Sequence, residues 1–275
     1  MTPVDQRINH HDLETPDSIQ VRFGIEYVES RPPEATAVLS MQMHRFRNPY
    51  TRAPTVGPLA ILVDAAAGIV NHYRRRPGLW TVSSELSMDL SPDVGELDGP
   101  VLASAHALGP LGATSLGICT LTYRGIVIGS GTVRSFFIPA GDVVPQYRPE
   151  TLQRSLETTL SDLMAVTVAS ENADCVVLSQ GVDQNLNNDI DIVHGGVAAA
   201  GLELAASAAI NRNGSDRPLQ TASLRVNFVR PFFASDESRY EGTQVRVGRS
   251  TAIGDARALG DDAKVAITAR VTAYR

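Results

Sequence analysis

Two apolar runs, each interrupted by a single carboxylate, lie 139 residues apart in a chain of 275. The first is Leu59 to Val70 with Asp64 inside it, and the second is Val197 to Ile210 with Glu203 inside it. The glycines Gly57 and Gly196, which open the runs, keep the same spacing, as do Pro92 and Pro231, and Gly109 and Gly248. In the strand between, the alternation Leu86, Met88, Leu90 matches Leu224, Val226, Phe228 at one residue less, because a one-residue slip would turn every side chain to the other face. That register pairs Ser83 with Thr221. Two copies of one pattern imply duplication of one structural unit, and hence a pseudo-dimer within one chain.

Each run reads as a core helix. The second is small and apolar on nearly every face (Ala198, Ala199, Ala200, Leu202, Leu204, Ala205, Ala206), which marks a helix wrapped by other structure. A carboxylate there is costly to bury unless it has a partner or chemistry to perform. The loop ahead of it, Asn187-Asn188-Asp189-Ile190-Asp191-Ile192-Val193-His194-Gly195-Gly196, ends where the first N–H groups of a helix are unpaired and carry the positive end of its dipole. Such a start can hold an anion or an oxyanion.

The rest of the chain reads in order. Residues 1–18 form a loose arm, and residues 20–30 and 35–43 two alternating strands of a hairpin broken at Arg31-Pro32-Pro33. The first core helix is expected over 57–75, closed by Arg74-Arg75-Arg76-Pro77-Gly78. Arg74 and Arg75 there read either as complements to the helix dipole or as binders of the nucleotide end of a coenzyme. Residues 79–138 read as four strands with turns at Gly109-Pro110-Leu111-Gly112 and Arg124-Gly125. A proline-rich linker covers 141–150, after which Leu152, Leu156, Leu160 and Met164 line one face of an amphipathic helix. The expected domains are 1–140 and 151–275, the second core helix spanning 195–211. Each helix should be cradled by an antiparallel sheet, with the two sheets continuous.

Composition narrows the function. A formal net charge of −6 leaves no basic excess to neutralise phosphates, so nucleic acid is not an expected partner. Cys119 and Cys175 form neither a disulfide framework nor a metal-ligand spacing, and read as small buried hydrophobes. No metal or cofactor is expected. The polar stretch Met1 to Asp17 has no apolar core of a signal peptide, and the longest apolar runs are too short for a bilayer. A soluble, cytoplasmic protein that does not enter membranes is the expectation.

His-Gly-Gly opening an apolar helix, an acid nine residues after the His, an Asn six before it, and a strand ending in Asn227-Phe228-Val229-Arg230-Pro231 resemble the hotdog-fold thioesterases of the PaaI type. Both halves fit in outline, so the chain resembles a tandem, double-hotdog acyl-CoA thioesterase: an α+β fold of two repeats, each with a long central helix wrapped by an antiparallel sheet. The second half carries Asn188, His194, Gly195, Gly196 and Thr221, with Glu203 where this branch usually has Asp. The first keeps Asp64 and Ser83, but Thr55-Val56-Gly57 replaces His-Gly-Gly and Asn48 is displaced by one residue.

The resemblance implies sites shared between repeats. The first would join Asn188, His194 and the Gly195 N–H to Asp64 and Ser83, with Gly196 beside the substrate. The second would join Asn48, Thr55 and Val56 to Glu203 and Thr221. Only the first has every part. There the Gly195 N–H would stabilise charge on the thioester carbonyl, Asp64 would act as nucleophile or base, Ser83 would orient the water, and Asn188 would hold the carbonyl or the carboxylate. His194 as a mere helix cap and Asn188 as a turn residue stay open. Two other functions also stay open: a hotdog enoyl-CoA hydratase or dehydratase, because Asp189 and His194 stand five apart, and a non-catalytic acyl-CoA-binding protein, which the altered first loop permits. Acyl-CoA is the expected ligand in each case. A homodimer of such chains is expected, since strands with Val265, Ile267 and Val271 want cover.

Overall fold

The computed structural model describes residues 15–91, 94–140, 148–171 and 175–275. Pro92, most of the expected arm and residues 141–147 of the expected linker lie outside them. In chain order come α1 (Asp17–Phe23), β1 (Ile25–Arg31), β2 (Thr36–His44), α2 (Leu59–His72), β3 (Leu79–Leu90), β4 (Asp98–Leu108), β5 (Thr114–Tyr123) and β6 (Ile126–Pro139). The second half contains α3 (Leu160–Met164), β7 (Val166–Glu171), β8 (Cys175–Gln180), α4 (Gly195–Asn211), β9 (Gln220–Phe228), β10 (Arg239–Val247), β11 (Thr251–Leu259) and β12 (Val265–Tyr274).

All twelve strands form one sheet in the order β1-β2-β4-β5-β6-β3-β9-β12-β11-β10-β8-β7. From its two ends toward the middle, the sheet has the same connectivity twice, as the internal repeat requires. The halves meet at β3 and β9, which pair antiparallel from Glu85 with Asn227 to Asp89 with Ser223. Helix α2 packs on β2 to β6, α4 on β8 to β12, and the two helices pack on each other. Their apolar side chains and the inward faces of both half-sheets form one continuous core.

Backbone closeness makes this packing possible. A Cβ on Gly242 of β10 would stand 2.0 Å from the Ala205 carbonyl oxygen of α4, and one on Gly117 of β5 would stand 2.1 Å from that of Ala67 in α2. The strands therefore touch the helix backbones themselves, which the Ala-rich helix surfaces also allow.

Three expectations change. Residues 20–23 belong to α1 rather than to the first strand, which starts at Ile25 and still forms the hairpin with β2. The helix expected around Leu152 to Met164 is confined to Leu160–Met164, where Thr159 caps it, and Leu156 is fully exposed. Ile267 and Val271 are buried in the chain's own core, so they supply no motive for pairing chains.

One buried base sits in the last turn of α2. His72 places Nδ1 2.8 Å from Thr81 Oγ1 and its ring edge-on to Trp80. Its Nε2 has no partner among the described residues. Burial, aided by repulsion from Arg75, pushes the imidazole down to about 3, against about 6.5 in an unfolded chain. A depressed base contributes stability that is present above pH 6.5 and lost as the pH falls toward 3, by about 1.4 kcal/mol per unit. His72→Gln should flatten that acid slope in urea unfolding between about pH 6 and pH 4. Gly242→Ala should lower the unfolding free energy by about 3 kcal/mol, since backbone must move to admit the methyl group.

Candidate active site

Site one assembles where α4 begins. A Cβ on Gly196 would lie 2.7 Å from the Ile61 Cα and 2.9 Å from the Asp64 Cβ, so the missing side chain lets the N-terminus of α4 lie against the middle of α2. Gly195 comes equally close to the acid, its absent Cβ standing 2.7 Å from Asp64 Oδ2. The helix start and its dipole from one half thereby face the carboxylate from the other. The Gly195 N–H has no acceptor among the described residues.

Each expected member of site one takes a defined place. Ser83 Oγ donates to Asp64 Oδ1 at 2.9 Å, so the hydroxyl orients the carboxylate. His194 is the N-cap of α4: its Nδ1 accepts from the Gly196 N–H at 3.2 Å, while Asp64 Oδ2 lies 3.5 Å from the same nitrogen. Burial pushes His194 below the usual histidine range, and the Asp64 charge opposes this without cancelling it, so the ring is neutral near neutral pH. Asn188 Oδ1 accepts from the Ile190 and Ile192 N–H groups, both at 3.1 Å, which closes the loop turn. The cap and turn roles of His194 and Asn188 are thus real, and both side chains also line the cavity.

That cavity holds about 430 Å³, within the range typical of small-molecule sites. Asp64, Ser83, Asn188, His194 and Gly195 are among the residues of its wall, and Trp80, Phe136, Ile138, Phe228 and Phe232 give it apolar surface. The opening arises from strand geometry. Pairing of β3 with β9 stops at Glu85 and Asn227, a bulge interrupts the β3 register between Ser83 and Glu85, and the next residues, Ser83, Ser84, Phe228 and Val229, line the gap. Bulges re-aim side chains in this way beside functional sites.

Site two has the same plan and a different outcome. Asn48 Oδ1 accepts from the Tyr50 and Thr51 N–H groups, the turn role of Asn188, so its one-residue displacement in sequence is absorbed by the loop. Its Nδ2, however, donates to the Leu204 carbonyl and to Ser207, fastening the loop to α4. Thr55 Oγ1 accepts from the Gly57 N–H at 3.1 Å, as His194 does for Gly196, and also donates to Glu203 Oε2 at 2.8 Å. Thr221 donates to Glu203 Oε1 at 2.5 Å. The longer acid fills its own site: the space left is about 20 Å³, barely a water. Burial raises Glu203 above the usual carboxylate range, against the opposing pull of the Thr221 and Thr55 hydroxyls.

Arg74 and Arg75 are not brought to the cavity. Arg74 donates to the Leu108 and Gly109 carbonyls and to Ser115, tying down the β4–β5 hairpin, and Arg75 donates to the His72 carbonyl. This is the helix-end role. Sequence reasoning missed Arg230, which lines the cavity, and Thr15, buried 3.3 Å from His194 Nε2. The first stood inside the strand-ending Asn-Phe-Val-Arg-Pro stretch and was open to notice. The second carries no local signal. Among the described residues no cluster of metal-ligating side chains occurs, and no helix is long and apolar enough to cross a membrane.

Residues 191–267 match the family model described as the thioesterase superfamily. No curated protein sequence matches the chain. Among solved structures, the tesB protein of Mycobacterium avium subs paratuberculosis is similar over 94% of this chain and 98% of its own, with TM-score 0.61 and 13% identity. The acyl-CoA thioesterase II TesB2 from Mycobacterium marinum is similar over 93% and 97%, with TM-score 0.57 and 12% identity. An acyl-ACP thioesterase from Bacteroides thetaiotaomicron is similar over 89% and 100%, with TM-score 0.54 and 9% identity. The resemblance to the hotdog-fold thioesterases therefore holds, through a thioesterase-superfamily match over residues 191–267 and through a shared fold over nearly the whole chain.

Proposed function

We propose that the chain is an acyl-CoA thioesterase folded as a double hotdog, with repeats at 1–140 and 151–275 joined by the linker 141–150, and with one working site shared between them. The observation that carries this reading is the placement of Asp64, from the first repeat, against the His194-Gly195 helix start of the second, on the wall of a cavity of about 430 Å³. Hydrolysis of a thioester needs a place for negative charge on the carbonyl oxygen and a group to activate or replace water. The unengaged Gly195 N–H at the positive end of α4 serves the first need. Asp64, steadied by Ser83, serves the second, either by taking a proton from water or by attacking the carbonyl itself. Asn188 turns its carbonyl oxygen to the loop, which leaves its amide donor for the substrate. The apolar walls suit an acyl group, and the names of the similar TesB structures support coenzyme A as its carrier.

In site two the same parts are spent on one another. Both Glu203 oxygens are occupied by hydroxyls, one of them from the capping Thr55, and no room remains for a substrate. Glu203 acts there as a structural residue.

Asp64→Ala should reduce release of free thiol from acyl-CoA by about a thousandfold or more, the scale of a lost acid–base group, whereas Glu203→Ala should retain most of the turnover. A thiol-reactive dye reads the result, and equal losses in both variants would mean two working sites. Enoyl absorbance in the same cuvette tests the hydratase reading, and binding without either signal tests the non-catalytic one. Glu203 also has a stability signature. An acid held high contributes stability that is present below the ordinary carboxylate range and lost as the pH rises through its raised value. The non-ionising Glu203→Gln should gain on the wild type as the pH rises above about 4.5, by on the order of 1 kcal/mol at neutral pH, measured by urea unfolding.

A further inference from the structure

We propose that Thr15 is a positioning residue of site one: its hydroxyl accepts the Nε2 proton of His194 and so, together with the Gly196 N–H at Nδ1, holds the imidazole in the tautomer that leaves Asp64 free of a hydrogen bond from the ring. The kinetic consequence rests on the thioesterase reading, while the tautomer itself rests on geometry.

A backbone N–H can only donate. The Gly196 N–H stands 3.2 Å from His194 Nδ1 and bonds to it, so that nitrogen presents its lone pair and carries no proton. In a neutral imidazole the single proton is then on Nε2. Thr15 Oγ1 lies 3.3 Å from Nε2, with Thr15 and His194 both buried. A hydroxyl can accept there, and Nε2–H has no other partner among the described residues. With Nδ1 bare, the 3.5 Å between it and Asp64 Oδ2 separates two acceptors and holds no hydrogen bond.

In site two a single capping atom does both jobs. The Thr55 hydroxyl takes the Gly57 N–H and in turn donates to Glu203, which a single imidazole nitrogen cannot do. The opposite tautomer of His194, with the proton on Nδ1, would donate to Asp64 in the same way and would leave the Gly196 N–H without its acceptor. The Gly196 N–H, which can only donate, selects against that state, and Thr15 supports the selection by giving the buried Nε2 proton an acceptor. Thr15 is itself held in place by the segment C-terminal to it: Ser18 Oγ donates to the Asn185 carbonyl, and the buried Arg22 bridges Glu150 and Asp183. All three of these partners belong to the linker end or to the second half.

The test uses the full chain labelled with ¹⁵N-histidine. Two-bond ¹H–¹⁵N correlation spectra distinguish the neutral tautomers directly, with the His194 signals assigned by their loss in His194→Gln. In the wild type His194 should be neutral and protonated at Nε2, and the same in Thr15→Ser. Thr15→Val, which keeps the shape and removes the acceptor, should show Nδ1–H, together with a kcat lowered about tenfold and an unchanged KM. The conservative Thr15→Ser should restore both. An Nδ1-protonated ring in the wild type would overturn the proposal without any variant. So would Thr15→Val with Nε2–H and full kcat retained. Should Thr15→Val not fold, Thr15→Ala carries the same two readouts. If no acyl-CoA is hydrolysed by the wild type, the functional reading fails while the wild-type spectrum still decides the tautomer.

Discussion

The crossing of α4 over α2 at Gly196 governs the molecule. Without a Cβ there, the start of one central helix rests on the backbone of the other at Ile61, one turn from Asp64. This contact joins the two halves of the core, and it also sets a carboxylate in front of a helix N-terminus. Packing of the two halves and the geometry of the candidate site thus share one point of contact. The sheet accommodates this by pairing β3 with β9 over a short central stretch and then letting them part.

From one plan, two sites diverge through the chemistry of single atoms. The capping position holds an imidazole nitrogen at 194 and a hydroxyl at 55. A hydroxyl passes a hydrogen bond onward, whereas an unprotonated ring nitrogen ends the chain. The acid at 203 is one methylene longer than that at 64, and it reaches two threonines and fills its space. Together these differences turn one copy into a closed, fully bonded core and leave the other open, although both keep the same strand order and the same turn built on Asn48 or Asn188.

Much of this was legible from the chain alone because it depends on spacing. The repeat offset located both helices, the acids and their hydroxyl partners Ser83 and Thr221, and the alternation of β3 and β9 set which faces turn inward. What escaped notice depends on distance across the fold. Thr15 and His194 are far apart in sequence, and no periodicity links them. Leu152 and Leu156 repeat at helical spacing, yet Leu156 has nothing to pack on and the helix shrinks to the turn that Thr159 caps. Arg74 and Arg75 show the reverse limit, because a cluster of arginines states its charge and not its target. Carbonyls of the neighbouring hairpin took Arg74, and the His72 carbonyl of their own helix took Arg75.

The junction between β3 and β9 also has a consequence for biosynthesis. During translation the first half leaves the ribosome with its own helix and six strands, but β3 must wait for β9, which begins at Gln220. Until then β3 offers an unpaired edge carrying Leu86 and Met88, and Asp64 faces no helix start. Such an edge invites pairing with a neighbouring nascent chain. The polar residues that alternate along it, Glu85, Ser87 and Asp89, place charge on that transient edge, so the half-made protein carries its own guard against the sister chain that its final form imitates.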